Sequence, residues 1–261
     1  MWNSITIFFI FLTVQVAASV TAFLLDNWQQ LQQDNAAETL EMSDVSPGTL
    51  VGAVFASSLL TIVLLRLMRL TRKNPFGHLS RQWHTAWLLP VAGLLLLSFG
   101  MGFLLEPFSL DDAGALADFE QMSHHWLGFV TLVLVGPLAE ELVFREGVLR
   151  SLAEKGYSPY VALTVSALLF GAVHMNPAQM LPATLLGLVL GWLYLRTGNL
   201  LLPVACHVAN NFCAFVELRL FGAEQMASGC PLRVSVAVGL LMVLAAIGCL
   251  RYWHLKTPSA S

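Results

Sequence analysis

Charge is what this sequence has least of. Lys, Arg, Asp and Glu together make up 11% of the 261 residues, against about 25% in an ordinary soluble domain. That scarcity excludes a water-facing globular surface of normal composition, and it makes nucleic acid an unexpected partner. The formal net charge of −3 decides nothing by itself; where the charges fall is more telling. Cysteine is also scarce. Cys206, Cys213, Cys230 and Cys249 form no CxxC pair, which argues against a zinc ribbon or a disulfide framework. The metalloprotease motif HExxH is missing, as are internal repeats and low-complexity segments. The opening "MWNS" lacks the basic n-region of a signal peptide, and the apolar run after it is long for an h-region. A retained first helix is therefore expected.

What the chain has instead is long apolar runs. It is 57% hydrophobic with a mean hydropathy of +0.71, and runs near twenty residues recur from end to end. The expected fold is all-α, a polytopic transmembrane helix bundle of about eight spans. The spans fall at roughly 5–25, 48–70, 85–105, 125–152, 158–176, 179–197, 199–218 and 232–253. The links alternate in sign. The first (Asp26, Asp34, Glu38, Glu41, Asp44) and third (Glu106, Asp111, Asp112, Asp118, Glu120) are acidic. The second (Arg66, Arg69, Arg72, Lys73, Arg81), the fourth (Arg145, Arg150, Lys155) and the tail (Arg251, Lys256) are basic. Basic loops stay on the cytoplasmic side, so both termini are expected inside; Arg219 and Arg233 dissent. The polar link 26–47 reads as a loosely ordered external loop. The localisation that follows is a multi-pass integral membrane protein, with the bacterial inner membrane as the expected site.

Against this background the stretch "GPLAEELVFREGVLR", 136–150, stands out. A charge at the bilayer centre is costly and seeks a partner in the bundle interior. Glu141 and Arg145 are four apart, share a helix face and can pair. Glu140 points about 100° away and has no local partner. A bland reading makes this an interfacial ion pair that Glu146 and Arg150 continue. Two later helices shift the balance. Phe170 and His174 share one face of the fifth span, and His207 and Asn211 share one face of the seventh. Glu, His, His and Asn together can activate water and stabilise an oxyanion. The turn "AEKGYSP" centres near residue 157, with Glu140 17 positions before it and His174 17 after. In an antiparallel hairpin the two lie at similar depth. His207 fits less well, only 9 positions after Gly198, so either that turn dips into the membrane or the seventh helix is displaced.

The order EExxxR (Glu140, Glu141, Arg145), FxxxH (Phe170, His174) and HxxxN (His207, Asn211), with the approach "GNLLLPVACH", resembles the CPBP family. That family comprises CAAX prenyl proteases of the Ras-converting type and bacteriocin-processing and immunity proteins. The likeness covers roughly 123–218, which divides the chain into 1–122 (three helices and polar loops), 123–218 (the catalytic-like core) and 219–261 (a last helix and tail). It implies an intramembrane glutamic endopeptidase. Glu140 would activate water with His174, His207 and Asn211 would stabilise the oxyanion, and Glu141, Arg145 and Phe170 would support them. No cofactor is expected. The implied substrate is a membrane protein or lipidated peptide within the lipid bilayer. Rival readings remain. Zinc held by Glu140, His174 and His207 is one. A Cys206–His207 nucleophile is poorer, because helix neighbours point about 100° apart. A non-proteolytic immunity or scaffold protein and a proton-coupled transporter are two further classes. His78, His84, His124, His125 and His254 read as interfacial.

Overall fold

The structure is a computed structural model of the chain that describes residues 2–32, 45–77, 86–226 and 231–257. Most of the polar link 26–47, together with Arg81, His78, His84 and Cys230, lies outside the described residues. The described residues form helices throughout, joined by turns. In chain order these are α1 (Trp2–Asp26), α2 (Pro47–Leu67), α3 (Leu88–Leu105), α4 (Ala115–His124), a composite α5 over 130–154, α6 (Pro159–Ala172), α7 (Pro177–Thr197), α8 (Leu201–Met226) and α9 (Leu232–Lys256). Six of them, α1–α3 and α7–α9, are long and apolar enough to cross a bilayer. The protein is an integral multi-pass membrane bundle.

The helix starts are legible chemistry. Ser46, Ser158 and Asn176 each accept a hydrogen bond from a backbone N–H three residues on, and each is followed by proline at the first helical position. Such caps satisfy donors that a helix start leaves open. Gly198, at φ 62°, ends α7 in the left-handed conformation, a usual helix stop. Asp26 ties α1 to α2 by accepting from Ser46 N (2.6 Å) and Thr49 Oγ1 (2.8 Å).

Helix α5 occupies the centre, touching α1, α2, α6, α7 and α8. Its residues 141–149 are all buried, the charged Glu141, Arg145 and Glu146 among them. It is not a regular α-helix. Val130–Val135 and Leu142–Leu149 are π-helical, separated by an α-helical Gly136–Glu141. Phe144, Leu149, Phe11 and Phe170 form the core around it. Beside it, α6 and α7 approach closely through glycine. A Cβ on Gly171 would stand 2.0 Å from Thr184 Oγ1 and 2.6 Å from Met180 O, and one on Gly191 would stand 2.5 Å from Leu163. Small residues of this kind let membrane helices pack backbone to backbone.

Two turns sit where the span count did not place them. The fifth expected span ran to 176, but α6 ends at Ala172 after 14 residues. That is about 21 Å of helix, short of a hydrocarbon core of about 30 Å. The turn holding His174 follows directly on the helix end, with Met175 exposed. The turn before α8 is internal. Asn199 and Leu200 are buried, and the segment after α2 covers them: Leu200 N donates to Pro75 O (3.0 Å) and Asn199 Nδ2 to Phe76 O (2.5 Å). The count that fitted His207 poorly had treated this turn as a surface turn, whereas it is buried beneath residues 75–76. The acidic third link also holds a helix, α4, that the span pattern did not anticipate.

Candidate active site

Glu140 and Glu141 close the α-helical segment of α5, at the point where it passes into the second π-helical stretch. π-Helical turns are common at functional sites. Glu141 is fully buried and lies between two partners. Its Oε2 is 3.1 Å from Arg145 Nε, and its Oε1 is 3.0 Å from His207 Nδ1. The expected Glu141–Arg145 pair is thus present, and it carries a third member that sequence spacing did not suggest. Arg145, also fully buried, donates to Gly187 O at 3.4 Å, and its guanidinium lies 4.4 Å over the Phe170 ring. A buried arginine over an aromatic face gains from the ring's negative quadrupole.

Glu140 is set apart from this pair. Its side chain is 28% exposed, whereas that of Glu141 is 0% exposed, and its Oε2 lies 3.6 Å from His207 Nε2. That separation is longer than a hydrogen bond. A carboxylate only accepts, so Nδ1–H donates to Glu141, which orients the His207 ring and turns Nε2 toward Glu140. Phe170 is the hub of the cluster. The rings of His174 (5.3 Å), His207 (5.7 Å) and Phe144 (5.2 Å) all meet it edge-on. His174 stands just past the end of α6, with Nδ1 2.9 Å from Phe170 O. A carbonyl only accepts, so Nδ1 carries the proton and Nε2 is the acceptor of the neutral ring. Asn211 Nδ2 donates to Leu132 O at 3.0 Å, in the first π-helical stretch. The structure therefore joins Glu140, Glu141, Arg145, Phe170, His174 and His207 through contacts. Asn211 lies one turn beyond His207, bonded to α5.

Cys206 is buried in an apolar cluster with Leu94, Leu190 and Trp253. Among the described residues no three His, Cys, Asp or Glu side chains are grouped to hold a metal ion. His124 pairs with Arg219, His125 Nδ1 accepts from Leu127 N (3.2 Å), and His254 lies against Trp192.

A second polar network centres on Glu146. Glu146 is fully buried and accepts from Arg72 N (2.9 Å), Arg72 Nε (2.9 Å) and Tyr194 Oη (2.6 Å). Arg72 also reaches Gly198 O (3.1 Å), and its hydrogen bonds to Glu146 hold its guanidinium above the ordinary range. Arg150 lies 3.2 Å from Glu146 and grips Glu154 and Leu70 O. The Glu146–Arg150 pair was expected, but the partners from the basic second link and from α7 were not. These contacts bind the segment after α2, the second π-helical stretch and the end of α7 into one unit.

Residues 122–213 match the sequence model of a family described as Type II CAAX prenyl endopeptidase Rce1-like, close to the 123–218 over which the motifs resembled it. The chain is also similar to the Bacillus subtilis (strain 168) protein named "Putative membrane peptidase YdiL", 33% identical over 86 residues. That alignment covers 33% of this chain, and the chain spans 35% of the relative's length. No solved structure matches. The central segment of the chain is thus similar to the CAAX prenyl endopeptidase family. All four expected catalytic residues and their three supporting residues lie inside the matched segment.

Proposed function

We propose that this protein is an intramembrane endopeptidase acting on a membrane-associated or lipidated protein, with Glu140 as the base that activates water. The observation that carries this reading is the contrast between two adjacent carboxylates. Glu141 is sealed between Arg145 and His207, while Glu140 is partly open and faces the other ring nitrogen of that histidine. Charge neutralised on one side and accessible on the other is what a general base in an apolar site requires. Glu140 takes a proton from water as the oxygen attacks the scissile carbonyl. His174 Nε2 is a second acceptor for the same water. An amide carries two N–H donors, so Asn211 keeps one on Leu132 O and offers the other to the oxyanion. His207, oriented by Glu141, presents Nε2–H beside it. Glu140 then returns the proton to the leaving amine.

The deciding experiment compares membrane proteomes of cells expressing the natural chain or Glu140→Gln. The variant keeps the shape and removes the base. An uncut membrane protein should accumulate in the variant, and purified Glu140→Gln should cleave it at least about 100-fold more slowly. Cleavage at the natural rate by a well-folded variant sinks the assignment, and solute uptake in place of cleavage would point to a transporter.

A further inference from the structure

One flank of the bundle carries an apolar groove remote from Glu140. It has a volume of about 580 Å³, with Leu163, Leu188, Val189 and Ile247 as its walls and Trp192, Arg251 and His254 toward one end. A smaller hollow of about 290 Å³ shares Leu163 and Trp192 and reaches Arg196. No carboxylate lines either. Helix α9 has 25 residues and rises about 37 Å, more than a hydrocarbon core of about 30 Å. Its last turns, with Arg251, Trp253, His254 and Lys256, therefore reach headgroup depth, where tryptophan and tyrosine favour the interface.

The cationic end is built rather than loose. Trp192 meets Trp253 at 5.5 Å and His254 at 5.7 Å. Arg196 donates to His254 O (2.7 Å) and Thr257 O (2.6 Å), fixing the end of α9 to α7. Arg251 is exposed and makes no hydrogen bond or ion pair among the described residues. The geometry points to a binding site for one anionic phospholipid. An acyl chain lies along Leu163, Leu188, Val189 and Ile247, and the phosphate sits against Arg251 and His254. Basic pockets between membrane helices recognise anionic headgroups in this way. A free phosphate has no use for the slot, and the amine of a zwitterionic lipid meets a cationic rim.

The test is native mass spectrometry of the full chain in mild detergent. The additives are phosphatidylglycerol, phosphatidylcholine of the same acyl chains, or inorganic phosphate. One phosphatidylglycerol per chain should be retained in preference to phosphatidylcholine. Arg251→Gln should weaken retention about fivefold, the worth of one cation at a membrane surface. Ile247→Trp, which fills the groove from a half-exposed position, should weaken it at least as much. Arg233→Gln, exposed at the opposite end of α9, should leave it unchanged. Equal retention of phosphatidylcholine, equal losses for Arg233→Gln and Arg251→Gln, or displacement of the lipid by equimolar inorganic phosphate would each overturn the proposal. Monodisperse elution and natural helical content establish that each variant is folded.

Discussion

At the scale of single residues, the defining feature is a charge with nowhere else to go. Arg145 is fully buried, and its compensation comes from Glu141 and the Phe170 face. Glu141→Ala or Arg145→Ala leaves the partner charge uncompensated, at a cost of about 3–5 kcal/mol. Both variants should show clearly lower thermal stability in detergent. If both melt as the natural chain does yet are inactive, the pair is catalytic rather than structural. Glu141 also orients His207, which gives it a role separable from stability. His207→Gln should lower turnover at least about 100-fold, and Glu141→Gln should add little to it, because groups acting as a unit are non-additive. Multiplicative losses in kcat would show that Glu141 does not act through His207. The Glu141–Arg145 pair was legible because its members are four residues apart. The Glu141–His207 contact was not, since 66 positions separate the two and only packing of α8 against α5 brings them together.

At the scale of elements, caps and apolar runs placed the helices to within a few residues, and the exceptions have a common cause. A helix buried on every side carries no hydrophobic stripe, so a change from α to π winding leaves no periodic trace in α5. Helix α4 was hidden because its residues are polar and acidic, as a loop's are. The shortness of α6 was hidden because the apolar residues 173 and 175 continue past its end. The α6–α7 contact is the element most sensitive to size. Gly171→Val would push side-chain atoms into Thr184 and the Met180 carbonyl. Overpacking of this kind costs about 1–3 kcal/mol or more. It should also move His174, which leaves α6 only two residues beyond the helix end. The expected outcome is a lower melting temperature together with reduced turnover, and Gly171→Val paired with Thr184→Ala should recover part of both. No change in either would mean that the two helices separate freely.

At the scale of the whole molecule, the chain is a helical membrane bundle with polar clusters around Glu141 and Glu146 buried on its central helix. The grouping of residues there bears on metal. Among the described residues no trio suited to an ion is assembled, and Asn211, one turn after His207, is a poor zinc ligand though a good oxyanion donor. Purified active protein is expected to hold less than one zinc per chain and to keep its activity after strong chelation. One zinc per chain, with activity lost on chelation and regained on readdition, would replace the glutamate mechanism with a metal one. The sequence by itself determined the membrane class, the order of the helices and the residue types of the candidate site. Those follow from composition and from spacings within one helix, where geometry is fixed by 1.5 Å of rise per residue. Only the tertiary structure decided which carboxylate is sealed and which is open, that His207 lies between them, and that Arg72 and Tyr194 close over Glu146. These are contacts between distant segments, and helix-to-helix packing, with its close glycine approaches and the buried turn before α8, sets them in a way no local spacing records.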